Sequence, residues 1–483
     1  MNAKDFIENY IEENKDYLIG LSQEIWSFRE LAYGEEKSAK VLIGAFEKAG
    51  FTVESGISSM PTAFVASYGQ SGPSFGFLGE YDALPGLEAR PGEAKKDPNL
   101  CGPGHGCGHN LLGVGSLGAV IAAKAYMEKE NIKARVYYFG CPAEEGTGGK
   151  TFMARDGVFD DIDFVYTWHP GDKNQVDYKI SLAIQAIEFS FSGTAAHAGS
   201  SPWLGRSALD GAEIMSIGSN YLREHIRDGE RVHYAYMDAG GEAANVVQDR
   251  AKVKYEVRSF NLESLDKLYQ RLIKCGEGAA LMTETELSYE TTMVFADYAP
   301  NPYLADLAQE ALEEVGPPSW TDEDYKLAKS YLSSYGQEIR DSLEEELRLN
   351  GLDAKDKIEK PLDDSVRPYS NTLSYQSGST DVGNVSYRCP TISYTIASWC
   401  LGNVGHTWQT TGQAGSILGQ KGMVCAAKAM ALGAIKTLAS PESIEKAKDY
   451  VKNEKGKNYK EPLPLGLMPK YKKWSRNLPR PFF

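Results

Sequence analysis

The densest chemistry in this 483-residue chain lies in Cys101-Gly-Pro-Gly-His105-Gly-Cys107-Gly-His109-Asn110, where glycines permit sharp bends around a thiol and imidazoles. In an extended segment the two-residue period puts Cys107 and His109 on one face, and thiolate with imidazole suits a borderline-soft cation such as zinc. Residues 134–140 form an apolar run that ends in Cys141-Pro-Ala-Glu144-Glu145-Gly146, so adjacent acids follow a strand, where open α/β sheets place their ligands. Adjacent carboxylates repel, and a metal gives the pair a purpose: one ligates while its neighbour takes a proton from water. Two solvated acids in a loop fit the same letters. A second apolar run from 164 delivers His169, with Pro170 expected to stop the pairing. His406, in Gly402-Asn-Val-Gly-His406-Thr-Trp, follows a strand-like run over 391–397. Each histidine alone fits a structural role, but one Cys, three His and two Glu at strand ends form the mixed set that a two-metal hydrolase needs.

Competing motifs fail on their surroundings. Gly148-Gly-Lys150-Thr151 resembles the end of a phosphate-binding loop, but Glu144 stands where that loop requires glycine. Gly72-Pro-Ser74-Phe-Gly76 has the letters of a nucleophile elbow, but a strand follows it where a helix is needed. Two readings from other classes stay open. A cysteine amidase using Cys107 and His109 would keep its activity after chelation, and a non-catalytic metal-binding regulatory or binding protein would have no use for Glu144.

The elements that position these residues follow from periodicity. Residues 4–48 space apolar side chains by three and four, giving amphipathic helices broken near Tyr33-Gly34. Residues 63–68, 75–78 and 134–140 read as strands and 112–126 as an apolar helix, an alternation that predicts an α/β layer with a largely parallel sheet. From 183 the pattern becomes strand, helix, strand, helix, strand (183–192, 208–226, 251–260, 262–281, 283–295). That predicts a small domain over 183–297 inserted into a discontinuous catalytic domain of 1–182 and 298–483. Residues 319–368 are rich in charge and read as solvated helices, and the proline-rich stretch 461–483 reads as an extended or mobile tail.

Lysine and arginine number 51 against 66 acidic residues, and the net charge of −15 opposes attraction to nucleic acid or an anionic membrane. The N-terminus lacks a signal-peptide layout, and no stretch is expected to reach the ~20 apolar residues of a membrane helix. Seven cysteines without short paired spacing argue against a secreted disulfide framework, so the expected location is the cytoplasm.

Taken in order, Gly79-Glu-Tyr-Asp82-Ala-Leu-Pro85, His105-Gly-Cys107-Gly-His109-Asn110, Pro142-Ala-Glu144-Glu145-Gly146, Trp168-His169-Pro170, Gly193-Thr-Ala-Ala-His197-Ala-Gly199, Gly378-Ser-Thr-Asp381-Val-Gly-Asn384 and His406-Thr-Trp408 resemble the M20 metallopeptidase family, in its amidohydrolase subgroup, from residue 15 to residue 437. The resemblance implies a zinc-peptidase-like α/β catalytic domain with an inserted ferredoxin-like α+β dimerisation domain. It implies two divalent metal ions, zinc or manganese, held by Cys107, His109, Glu145, His169 and His406, with Glu144 as general base and then general acid. It further implies that His197 reaches across a dimer to polarise the scissile carbonyl, and that Asn245 and Arg258 bind substrate from the lid. Arg206 joins Arg258 as a candidate partner for a substrate carboxylate. Many members carry His-x-Asp where this chain has Glu80-Tyr-Asp82, so Asp82 is expected to orient a ligand, and Glu80 keeps the option of touching a metal. Asn110 in place of the usual aspartate, and the segment 88–100, point within the subgroup to enzymes acting on aminobenzoyl-glutamate, with dipeptides and other N-acyl amino acids as alternatives. The expected assembly is a homodimer, or a pairing with a related second subunit, acting on a small-molecule amide or peptide substrate.

Overall fold

The computed structural model describes residues 1–349, 351–370, 372–457 and 459–469. Helix α1 (Ala3–Phe28), capped by the Asn2 side chain, and α2 (Glu36–Lys48) bury one apolar face each, and strands β1 (Thr52–Ser55), β2 (Phe64–Tyr68) and β3 (Ser74–Gly79) follow. Next come α3 (His109–Glu130), β4 (Arg135–Gly140), α4 (Gly149–Arg155), β5 (Phe164–Gly171) and two short strands, β6 (Gln175–Val176) and β7 (Lys179–Ser181). A second unit holds β8 (Ala183–Ser192), α5 (Ala208–Leu222), β9 (Arg231–Asp238), β10 (Arg250–Ser259), α6 (Leu262–Thr283) and β11 (Glu286–Phe295). The chain then continues through α7 (Pro302–Val315), α8 (Asp322–Ser333), α9 (Gln337–Leu349), α10 (Ala354–Glu359), β12 (Ser374–Gln376), α11 (Val382–Ser386), β13 (Thr391–Ala397), α12 (Trp408–Ala414), α13 (Ile417–Leu438) and α14 (Pro441–Tyr450).

The main sheet runs β1-β2-β4-β3-β5-β13-β6. Its centre, β4-β3-β5-β13, is parallel, whereas β1-β2, β2-β4 and β13-β6 are antiparallel, so the expected largely parallel sheet is parallel only where the site lies. The connections at its edges are too short for a parallel crossover and reverse the chain. Strand β5 also corrects an expectation: it continues through Pro170, which pairs with Ile396 of β13. Its other neighbour, β3, pairs with it only from Phe164 to Tyr166, so the missing N–H of Pro170 removes no bond from the β3 side.

Helix α3 packs against α1, α13 and β3, and Gly113 lets it approach the Glu80 carbonyl so closely that an added Cβ would stand 2.6 Å away. By length and composition α3 meets the requirement of a membrane span, contrary to expectation. The reason is its burial: a helix enclosed by protein on all sides is apolar all round.

The second unit is an antiparallel sheet, β11-β8-β10-β9, crossed by α5 and α6 in a ferredoxin-like βαββαβ connection. Phe189, Phe191, Met215, Val253 and Leu272 form its own core. Strand β9 was absent from the periodicity because only Val232 within it is buried, leaving no in–out alternation to read.

The charged segment is more than solvated surface. Tyr331, Leu332, Tyr335, Leu343 and Leu347 from α8, α9 and the turn between them pack with Cys400, Leu401 and Leu418, under the loop that leads to His406. Of the proline-rich stretch, residues 461–469 lie on the body, with Leu463 buried and Arg155 donating to the Leu467 carbonyl at 2.6 Å; 470–483 lie outside the described residues.

Candidate metal centre

The C-terminal ends of the parallel strands open into one cavity of about 350 Å³, as expected for ligand sites in open α/β sheets. Glu80 follows β3, Glu144 and Glu145 follow β4, His169 lies two residues before the end of β5 and His406 lies in the loop after β13, and all of them line this cavity with Cys107. Cys107 and His109 converge by a turn and not along an extended segment: Gly108 takes φ +77° and His109 is the first residue of α3. Two non-glycine residues at the site, Ala143 (φ +60°) and His406 (φ +57°), hold left-handed backbone, a cost that surrounding contacts must offset. For His406 those contacts include its own N–H donating to Gly106 O at 3.0 Å and the Tyr335 hydroxyl donating to Asn403 at 2.8 Å.

Donor atoms of Cys107, His109 and His169 lie within 4.8 Å of one another, as do those of Cys107, Glu145 and His406, and those of Glu80, His109 and Glu144. Cys107 thus belongs to two donor triplets, with its Sγ 3.3 Å from His169 Nε2. The partners of the ring nitrogens aim the others inward. His109 Nδ1 is 2.8 Å from Asp82 Oδ1, whose other oxygen accepts from Glu145 N at 2.9 Å, and His169 Nδ1 donates to Pro170 O at 2.8 Å. His109 Nε2 and Glu145 Oε1 are buried without a hydrogen-bond partner, even though Glu80 Oε2 and His406 Nε2 stand only 3.2 Å and 3.0 Å from them. Buried lone pairs without donors are costly unless a cation fills the space between them. The mixed thiol, imidazole and carboxylate set could hold divalent cations of borderline softness.

The electrostatics follow from crowded acids. Burial and the nearby charges of Glu80 and Glu145 hold the Glu144 carboxyl well above the usual range. Burial opposes ionisation of Glu145, but the His406 imidazole 3.0 Å away and the charge of His109 outweigh it and pull its pKa down to about 2. Burial pushes the Cys107 thiol up and Glu145 adds to the effect, so the thiolate that binds metals would need a cation beside it.

Lys150, just after Gly148-Gly149, belongs to the site without being one of its donors. It is fully buried, with its ammonium 2.7 Å from Glu80 Oε1 and 2.5 Å from Asp381 Oδ1. Burial opposes its charge, but those two carboxylates hold its pKa well above the usual lysine range. One cation therefore neutralises part of an acidic cluster beneath the cavity. Lys150→Met should lower the unfolding free energy by about 3–5 kcal/mol, since it strands two buried carboxylates. Urea unfolding checks this, and a loss below about 1 kcal/mol would remove the counter-charge role.

Of the remaining candidates only Arg258 reaches the rim of the cavity. His197 is exposed in a loop of the second unit, its Nδ1 accepting from Gly199 N and Ser200 N at 3.1 Å each. Asn245 is exposed beside it, with its carbonyl accepting from Ala198 N. Arg258 is half-buried on β10 and donates to Ser379 Oγ at 2.9 Å, which puts it at the rim of the cavity. Arg206 is engaged with Glu284 and with the carbonyls of Trp203 and Gly205, and the structure does not bring it to the cavity. Asp177, Tyr298 and Gln376 line the cavity without having been singled out in the sequence, because nothing in their local spacing marks them.

The model of peptidase family M20/M25/M40 matches residues 76–330. One of the p-aminobenzoyl-glutamate hydrolase subunits of Escherichia coli (strain K12) is 39% identical over 432 residues, covering 88% of this chain and 90% of its own. The Xaa-Arg dipeptidase of Mus musculus is 29% identical over 453 residues, covering 90% of this chain and 89% of its own. Among solved structures, a dinuclear metal-binding peptidase of the M20 family from Bacillus subtilis shares the fold with a TM-score of 0.56 at 14% identity, over 89% of this chain and 99% of that one.

Proposed function

We propose, from the premise that this chain belongs to peptidase family M20/M25/M40, that it hydrolyses the amide bond of an N-acyl amino acid of the aminobenzoyl-glutamate type, with two divalent cations held by Cys107, His109, Glu145, His169 and His406. The observation that carries this reading is Glu144, a carboxyl of raised proton affinity in the cavity wall beside the donor triplets. The cations, when bound, supply Lewis acidity to the scissile carbonyl and acidify the attacking water. Glu144 takes the proton of that water and returns it to the departing nitrogen, a task suited to a group whose pKa lies above that of an ordinary carboxylate. Asp82 keeps His109 in one tautomer, and Glu80, paired with Lys150, sets the negative potential under the site. Zinc is favoured by the thiol, while the carboxylates and imidazoles also admit manganese. Seven free cysteines support a reducing compartment, the cytoplasm.

Assaying the purified protein on p-aminobenzoyl-glutamate, other N-acyl amino acids and dipeptides, with metal analysis alongside, tests the reading. Hydrolysis of at least one, with about two metals bound per chain, is expected. A metal-loaded protein that cleaves none of them would count for a binding role.

We read residues 183–297 as an inserted dimerisation domain. Support comes from its separate core and from large apolar side chains exposed on this unit, Trp203, Leu204, Ile217 and Tyr221, with Tyr236 and Met237 on the edge strand β9. The Escherichia coli relative is itself named as a subunit, which supports a related second chain as the alternative partner. In either assembly His197 serves the partner's site by polarising the carbonyl. His197→Ala should lower kcat about 10²–10³-fold with metal content retained. Mixing it with Glu144→Gln protein should restore part of the activity, because a mixed dimer holds one complete site; absence of any restoration would remove the cross-subunit role.

A further inference from the structure

The cavity extends beyond the metal donors to a wall of different character. Asp177, between β6 and β7, is anchored by its own N–H donating to Ser393 O at 2.8 Å, and it is partly accessible from the cavity it lines. The Gln376 side chain stands beside its carboxylate and favours the charged form. Beside it stands Tyr298, 1% exposed, whose hydroxyl has no partner of hydrogen-bond geometry, with Asp177 and the Ser393 backbone nearby. Thr167 Oγ1, also in the cavity wall, is buried and unpartnered as well.

Burial pushes Asp177 up to about 6, against the pull of Lys179 and Gln376. Lys179 acts on it only through its charge, closing no ion pair among the described residues, and no lysine or arginine is among the residues lining the cavity. Arg258 reaches only the rim, at Ser379. A carboxylate and an unpartnered hydroxyl in a stretch of cavity wall without lysine or arginine call for a ligand group that brings N–H donors.

We propose that Asp177, with Gln376 and Tyr298, forms a specificity subsite for a nitrogen hydrogen-bond donor carried by the substrate away from its scissile bond. The proposal rests on the amidohydrolase reading above. Two sources offer that chemistry: the aryl amine of an aminobenzoyl group, and the ammonium or guanidinium of a basic side chain. A carboxylate or an alkyl group at the same place meets an unfavourable charge or leaves Asp177 unpaired.

The test uses the metal-loaded protein and two substrate pairs: p-aminobenzoyl-glutamate with benzoyl-glutamate, and N-acetyl-lysine with N-acetyl-norleucine. In one pair the donor-bearing member should have a kcat/KM about 10- to 100-fold above its donor-free partner, and that pair identifies the source. Asp177→Asn, Asp177→Ala and Tyr298→Phe should shrink the ratio, chiefly through KM, with Asp177→Ala bringing it near unity and metal content unchanged. A ratio near unity in both pairs for the wild type, or a ratio that survives Asp177→Ala, overturns the subsite. Should the wild type cleave none of the four, calorimetric binding of the same compounds decides. A donor preference lost in Asp177→Ala sustains the subsite and sinks only the reaction, and no preference overturns the subsite.

Discussion

Glu144→Gln should lower kcat by about 10²–10⁴-fold while leaving bound metal and folding stability close to the wild type, because it removes the proton carrier and keeps the shape of the side chain. Glu144 lines the cavity, and its ionisation is disfavoured by burial and by Glu80 and Glu145, so it is suited to accept a proton and to release it again. Glutamine can do neither. The conservative change separates three readings. The metal-dependent hydrolase loses turnover with metal retained, a binding protein has no turnover to lose, and a cysteine amidase keeps most of its rate. Unchanged turnover in Glu144→Gln would falsify the proton-transfer role; the decisive measurement is kcat with metal content determined on the same preparation.

Exhaustive chelation should abolish activity and lower the unfolding free energy, by roughly 4 kcal/mol if the cations had been present at a thousand times their dissociation constant. The acids explain the direction. Glu80, Glu144 and Glu145 face one cavity, with Lys150 the buried ammonium paired to Glu80, and His109 Nε2 and Glu145 Oε1 are left without hydrogen-bond partners. Divalent cations relieve that repulsion and satisfy those atoms only in the folded chain, so their removal destabilises the native state. Restoring zinc or manganese should return both activity and unfolding midpoint, and the ion that returns the higher kcat/KM identifies the working metal. Activity that survives chelation but is lost on alkylating Cys107 would instead favour a thiol nucleophile. Cys101 is exposed and Cys275 half-buried, so the alkylation is made on protein carrying Cys101→Ser and Cys275→Ser.

The sequence by itself brought forward the candidate side chains for the chemistry. Glu144, Glu145, His169 and His406 stand out because polar donors are rare at the ends of apolar runs, and Cys107 and His109 because a thiol and an imidazole two apart share a glycine-rich segment. The same local signal marked α1, α2, α3 and most strands of the second unit, and it failed at β9, where burial is one-sided only at Val232. It also misjudged Pro170, whose tolerance depends on β3 having already left the ladder. Only the tertiary structure decided how the groups combine. That Cys107 is shared by two donor triplets, that Glu145 meets His406, that Lys150 is a buried counter-charge to Glu80 and Asp381, and that Asp177 faces the same cavity are contacts between distant segments. The Lys150–Asp381 contact spans 231 residues. Periodicity reports the face a residue presents, whereas such contacts depend on which strand ends the sheet order makes neighbours, and that order is set by packing of the whole chain.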